Sequence, residues 1–337
     1  MIIRTMAYPR AGFVGNPSDG YFGKTISFAF TNYAAEVVLY EAPELEIQPS
    51  YRDHSRFKSI GELARDVQLN GYYGGIRLLK ATVKRFWDYC QTNAIALDDR
   101  NFALRYHSTI PERVGLAGSS AIITACLRGL MKFHRVTIPK PLQANLVLSV
   151  ETQELGIPAG LQDRVAQVYQ GLVYMDFDRL LMEQRGCGNY EPLDPSLLPP
   201  VYVAYQESLS EGTEVFHNDI RGRFNRGEPA VVNAMKFWAD LAEQVRTCLL
   251  HREREKIGPL LDANFNKRRE IYQISRGNIE MVEAARSVGA SAKFCGSGGA
   301  IVGSYTDEGM YQRLVAKLEP MGIRVLKPVI ALPEDNP

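Results

Sequence analysis

The sequence predicts an α+β fold in two halves, with antiparallel or mixed sheets. Three observations lead there. A chain of 337 residues is longer than one hydrophobic core usually serves. Stretches with β-branched and aromatic alternation are interspersed with stretches of three-and-four apolar spacing. A segment rich in Gly and Pro, 186–200, separates the two groups and sets the expected domains at 1–190 and 191–337.

Taken in order, residues 1–15 predict a short strand and a turn. Asn16-Pro17-Ser18-Asp19-Gly20 is a dense turn signal. From Lys24 to Tyr40, alternation at Ile26, Phe28 and Phe30 and then Val37-Val38-Leu39 predicts a hairpin or meander. Residues 57–92 read as helices interrupted at Gly71-Tyr-Tyr-Gly74-Gly75, the second running from Ile76 to Tyr89. Phe102–Tyr106 alternates as a strand and leads to Pro111-Glu-Arg-Val-Gly115-Leu116-Ala117-Gly118-Ser119-Ser120-Ala121. A helix is expected from Ser119 to about Phe133, and another after Pro141 that carries Glu151. The turn Gly156–Gly160 opens a helix through Tyr169, and Gly171–Asp176 reads as a strand. Beyond the divider come a strand at Val201–Tyr205 and helices at about 213–224, 228–251, 253–274 and 277–288. A strand at Ser291–Cys295, a glycine loop, a strand at Ala300–Tyr305, a helix at 307–319 and a strand at 323–330 close the chain.

Composition narrows the function classes. Apolar residues make up 45% and charged residues 23%, an ordinary balance for a water-soluble globular chain. The formal net charge of +1 supports neither nucleic acid nor a membrane surface as partner. Five scattered cysteines without a CxxC pair argue for a reducing compartment. With no signal-peptide core at the N-terminus and no apolar run near 18 residues, a cytoplasmic location is expected. The five histidines show no pair at metal spacing, and no Gly-x-Ser-x-Gly elbow is present. Gly23-Lys24-Thr25 imitates the end of a P-loop, but Ser18 stands where its first glycine belongs and a strand pattern follows.

Four segments carry candidate chemistry. The loop Gly115–Ser120 runs into a helix start, where glycines admit a ligand to the backbone and free N–H groups favour an anion, usually phosphate. Ser119 or Ser120 also offers a hydroxyl suited to Mg²⁺. Glu151 and Asp163 are carboxylates of the kind a nucleotide site needs for metal and for proton transfer, although Glu154 lies on the same helix as Glu151. Asp163 sits near a helix N-terminus, where negative charge is favoured and where simple capping is the plainer role. Arg10 and Asp19 flank the first tight turn, as a phosphate clamp and an acceptor for sugar hydroxyls, or as a strand-end charge and an Asx turn. Gly296-Ser297-Gly298-Gly299 lies between two strands, so it does not open a helix as a dinucleotide loop does.

Together these segments resemble the GHMP kinases, the family of galactokinase, homoserine kinase, mevalonate kinase and phosphomevalonate kinase. Pro9–Asp19 resembles the first motif, Pro111–Ala121 the second, and Lys293–Gly299 the third. Gly156-x-Pro158-x-Gly160-x-x-Asp163 is similar to the segment that holds the galactokinase catalytic Asp. The chain departs from the family pattern where Ala117-Gly118 replaces a single residue, where Gly15-Asn16-Pro17 replaces Gly-Glu-His, and where Ala300 follows Gly299. With these departures the resemblance is closer to the glucuronokinase group, on Gly15–Ser27, Gly115–Ala121, Gly160–Tyr169, Asn278–Glu283 and Gly296–Ala300.

The resemblance implies a two-domain fold, with a half like ribosomal protein S5 domain 2 followed by a ferredoxin-like half, and ATP and substrate between them. It implies Asp163 as base with Arg10 as the cation beside it. Gly115, Leu116, Ala117, Gly118, Ser119 and Ser120 would hold the ATP phosphates. Ser120 and Glu151 would hold Mg²⁺, with Ser119 the other choice for the hydroxyl. Asp19 would contact the sugar, with Gly296, Ser297 and Gly298 also at the substrate. The implied reaction turns ATP and D-glucuronate, a sugar acid, into ADP and glucuronate 1-phosphate. For the substrate carboxylate the candidates are Lys24, Arg164 and the Arg268–Arg269 pair. A kinase for another sugar or sugar acid, such as galacturonate or galactose, is the nearest alternative. A silent sugar sensor is a further one. The oligomeric state is open.

Overall fold

The computed structural model describes residues 1–49, 74–209 and 220–333. The first part of the helical stretch expected at 57–92, and most of the helix expected at 213–224, lie outside the described residues.

The chain forms two compact units. The first comprises Met1–Ala7, Ala34–Thr109 and Ser119–Ile157. Its sheet has the order β1-β4-β6-β5, from Ile2–Ala7, Ala35–Ala42, Asn101–Ser108 and Glu46–Ile47. The β1, β4 and β6 pairings are antiparallel, and β5 joins in parallel. Helix Gly75–Thr92 shows the expected three-and-four spacing of buried residues, with Leu78, Leu79, Thr82, Phe86 and Cys90 inward. Helix Gly118–His134, in this unit from Ser119 onward, is buried along most of its length. Helix Lys140–Ser149 continues into a π-helical turn, Val150–Glu154.

The second unit comprises Tyr8–Tyr33, Ile110–Gly118 and Pro158–Pro337. It holds two antiparallel sheets. One has the order β2-β3-β7-β8, from Arg10–Val14, Lys24–Ala29, Leu172–Asp176 and Asn189–Leu193. The other has the order β10-β11-β9-β12, from Lys293–Phe294, Ala300–Ser304, Val201–Tyr205 and Arg324–Leu326. Helices Pro229–Leu250, Ile257–Ile271, Arg276–Arg286 and Glu308–Leu318 lie close to their expected positions. Tyr202, Phe265, Met281, Phe294, Leu314 and Leu318 form the centre of one core cluster.

Two expectations about pairing are corrected. Lys24–Tyr40 is not a hairpin: β3 pairs with β2 and β7, while β4 pairs with β1 and β6. The alternation in each strand was sound, but alternation does not name a partner. The Gly- and Pro-rich stretch 186–200, expected to divide the domains, carries a strand that the sequence reading did not foresee, since β8 lies within it and extends the β7 edge. Helix Arg179–Arg185 precedes it, capped by the Asp178 carboxylate on Leu180 and Leu181 N–H and ended by Gly186 in the left-handed region.

Candidate active site

In the second unit, β2 is buried at every residue and begins with a charged side chain, Arg10. A buried guanidinium needs partners. Arg10 Nε donates to Asp163 Oδ1 at 2.6 Å, and Nη1 donates to the Gly115 carbonyl. The Arg10 N–H donates to the Leu116 carbonyl at 3.3 Å. One residue thus ties the strand, the glycine loop and the helix that carries Asp163.

Asp163 is the third residue of helix Leu161–Tyr169, whose N-cap is Gly160 in extended conformation. It is therefore not the capping residue. Its carboxylate is shared between Arg10 and Arg164 Nη1, the latter 3.4 Å from Oδ2. Arg164 also donates to the Gly160 carbonyl at 2.8 Å, so its guanidinium is engaged within this turn.

Asp19 lies in a 3-10 turn, Ser18–Tyr21. It approaches Gly160 so closely that a Cβ there would collide with its carboxylate. Its carboxyl is pushed up to about 6, first by burial and then by the Asp163 charge. The Gln162 N–H, Arg10 and Arg164 pull the other way. Two carboxylates and two guanidiniums therefore share one site.

The glycine loops meet above Arg10. Gly115 has φ +70, and a Cβ on it would lie 2.9 Å from the Gly298 carbonyl and 3.0 Å from Ser297 N. A Cβ on Gly296 would lie 3.0 Å from Arg10 Nη2. Only glycine admits both approaches. Ala117, the extra residue of the motif, holds φ +63, and Gln167 donates to its carbonyl at 2.8 Å. Arg268 supports the second loop through the carbonyls of Gly296 at 2.9 Å and Ser297 at 3.2 Å. Asn278 accepts from the Gly299 N–H at 2.9 Å.

Two further buried side chains fix the first turn. Lys293, 1% exposed, donates to the Gly12 carbonyl and to Asn16 Oδ1. Burial, with Arg268 and Arg10 adding to it, drives its ammonium well below its usual range. Asn264 accepts from the Gly15 N–H at 2.8 Å and donates to the Asn16 carbonyl at 3.1 Å. Sequence reasoning named Lys293 only as part of a motif and missed Asn264. An Asn on a helix gives no local signal for a contact 248 residues away.

Among the other proposed cations, Lys24 is held by Glu243 at 2.9 Å and Asp176 at 3.5 Å. Arg269 pairs with Glu283 at 2.9 Å on an exposed face.

In the first unit, Ser119 is half-buried and Ser120 fully buried, both in the first turn of helix Gly118–His134. Glu151 is buried in the π-helical turn. Glu154 instead pairs with Lys84 at 2.9 Å.

A family model described as GHMP kinases N terminal domain matches residues 77–171. Glucuronokinase 1 of Arabidopsis thaliana is 46% identical over 306 residues, 89% of this chain and 84% of the relative. Probable glucuronokinase 2 of the same plant is 45% identical over 303 residues, 88% of this chain and 82% of the relative. The solved structure of Lactococcus lactis galactokinase complexed with galactose aligns with a TM-score of 0.76 at 12% identity. It covers 98% of this chain and 93% of that one, which establishes the fold.

Proposed function

Because this chain belongs to the GHMP kinase family, we propose that it is a glucuronokinase. It would transfer the γ-phosphoryl group of ATP to the anomeric hydroxyl of D-glucuronate, giving ADP and glucuronate 1-phosphate. The observation that carries this reading is the 46% identity with Glucuronokinase 1 over most of both chains. The Arg10–Asp163 pair supplies the chemistry it needs.

In this reading Asp163 accepts a hydrogen bond from the anomeric hydroxyl and takes its proton as the oxygen bonds to phosphorus. Arg10 orients that carboxylate through Nε and offsets its charge. The hydroxyl oxygen gains the phosphoryl group, the β–γ bridging bond of ATP breaks, and ADP leaves with that electron pair. Gly115, Leu116, Ala117, Gly118, Ser119 and Ser120 offer backbone N–H groups and hydroxyls at a helix start, the donors that polyphosphate requires. Asp19 accepts from sugar hydroxyls, and the Gly296–Gly298 loop would also meet the substrate. Acceleration then comes from positioning and from fixed dipoles that need no reorganisation.

Mg²⁺ fits the donor set. Ser120 and Glu151 are buried, both offer oxygen, and a phosphate-bound Mg²⁺ takes one or two protein oxygens with the rest from phosphate and water. The ion would neutralise charge on the transferring phosphoryl group. Five unpaired cysteines support a reducing, cytoplasmic setting.

The test is coupled ADP release with Mg-ATP against D-glucuronate, D-galacturonate, D-galactose, D-glucose and mevalonate, with Asp163→Ala in parallel. Turnover on glucuronate that disappears in the variant supports the reading. Turnover confined to a neutral sugar or to galacturonate would replace the substrate and keep the kinase.

A further inference from the structure

A uronate differs from a neutral hexose by a carboxylate, and a site that selects it needs a cation or convergent donors. The cations expected from sequence are committed elsewhere. Lys24 is held by Glu243 and Asp176, Arg164 by Asp163 and the Gly160 carbonyl, Arg268 by two loop carbonyls, and Arg269 by Glu283.

Arg221 differs from all four. It belongs to a helical segment, 220–225, is exposed, and makes no ion pair with any described residue. Its guanidinium carbon stands 4.6 Å from the centroid of the Tyr21 ring. That ring packs in turn on Phe224 at 4.8 Å. A Cβ on Gly20 would lie 3.1 Å from Arg221 Nη2, so the guanidinium lies against the turn that carries Asp19. The guanidinium also engages the Tyr21 hydroxyl by a side-chain hydrogen bond, and stacking on the ring leaves its remaining N–H donors for a planar carboxylate.

An independent observation points to the same place. Among the described residues the buried Tyr272 hydroxyl has no hydrogen-bond partner, in a residue only 8% exposed. Buried phenols normally find one. The Arg268 guanidinium stands 5.0 Å from the centroid of the Tyr272 ring, and burial pushes the phenol up, with Asp19 adding to it and Arg268 and Arg221 pulling the other way. A cation without a carboxylate thus lies against the turn Asp19–Tyr21, and a phenol without a partner among the described residues lies on the ring that Arg268 stacks over.

We propose that Arg221 and the Tyr272 hydroxyl receive the carboxylate of the sugar acid, while Asp19 on the adjoining turn takes its hydroxyls. This rests on the uronate-kinase reading and names the group that makes it selective. The subsite would supply the cation that selection of an anionic sugar needs. It also gives the orphaned phenol a partner in the bound state.

The experiment compares D-glucuronate with D-glucuronamide, its neutral isostere, in the coupled assay. The wild-type chain, Arg221→Gln, Arg221→Lys and Tyr272→Phe are measured. Arg221→Gln should raise KM for glucuronate by roughly 10- to 100-fold, the range for a lost charged hydrogen bond. kcat should change far less, and the preference for glucuronate over glucuronamide should fall by a similar factor. Arg221→Lys should recover part of that preference. Tyr272→Phe should raise KM for glucuronate several-fold with no loss of melting temperature, since the hydroxyl has no partner among the described residues. If the wild type uses glucuronate and Arg221→Gln keeps its preference, or weakens both substrates equally, the subsite is wrong and the kinase reading survives. An unchanged KM in Tyr272→Phe removes the phenol from it. If the wild type uses no uronate, the parent reading fails and the subsite fails with it.

Discussion

Replacing Asp19 with Asn should make this protein more stable at neutral pH and a worse catalyst. The Asp19 carboxyl titrates at about 6 instead of 3.8, because burial and the Asp163 charge outweigh Arg10, Arg164 and the Gln162 N–H. Between those two values the folded protein holds a proton that the unfolded chain has released. Stability therefore falls as pH rises through that window, and the penalty is complete above about 6. A shift of about two units at 1.36 kcal/mol each amounts to about 3 kcal/mol against the charged form. Asn stands in for the protonated carboxyl, so Asp19→Asn should gain up to about 3 kcal/mol at pH above 6. For a chain of this size that is a rise of several degrees in melting temperature. The gain should shrink as pH is lowered and vanish near 3.8. Melting curves of both proteins across that range, beside sugar KM at neutral pH, make the assay. A variant less stable than wild type at neutral pH would refute the reasoning. So would a difference independent of pH. The first would mean that Arg10 and Arg164 hold the carboxylate in net stabilising contact, and the second that folding does not shift its titration.

Three further outcomes follow from the same geometry. Arg10→Ala leaves Asp163 without its main cation and should lower kcat at least 100-fold in the coupled assay. It should also destabilise the fold by about 2–3 kcal/mol in denaturant titration, less than a fully buried pair because the Asp163 side chain is 21% exposed. Gly160→Ala places a methyl group against the Asp19 carboxylate, so the sugar KM should rise while the ATP KM stays near wild type in steady-state kinetics. Native thiol titration should detect one fast cysteine, Cys187. Cys90, Cys126, Cys248 and Cys295 are buried, with the thiols of Cys126 and Cys295 pushed up to about 12, and they should react only after unfolding.

Local structure was legible where a residue pattern carries its own period or cap. Helix Leu161–Tyr169 follows Gly160, and helix Gly118–His134 follows the glycine loop, as their spacing implies. Pairing was not legible. Ile26, Phe28 and Phe30 alternate as a strand whichever neighbour they meet, and only the structure assigns β3 to β2 and β7. β8 was masked by the same Gly and Pro density that suggests a domain boundary, although the Asp178 cap and Gly186 stop were readable signals for the helix before it. In the candidate site, the motif residues were visible because resemblance names them one by one. Their mutual geometry was not, since Arg10 and Asp163 lie 153 residues apart and nothing local encodes their ion pair. Arg221 and Tyr272 belong to no motif. Their signals are a stacked guanidinium and an orphaned hydroxyl, which exist only in three dimensions.

The central claim is phosphoryl transfer to the anomeric oxygen of a sugar acid. Its most direct test is phosphorus NMR of the product formed from Mg-ATP and D-glucuronate labelled with carbon-13 at C1. The account predicts a phosphate resonance coupled to the labelled C1, formed by the wild type and absent with Asp163→Ala. A phosphorylated product without coupling to C1, or one formed undiminished by Asp163→Ala, would contradict it.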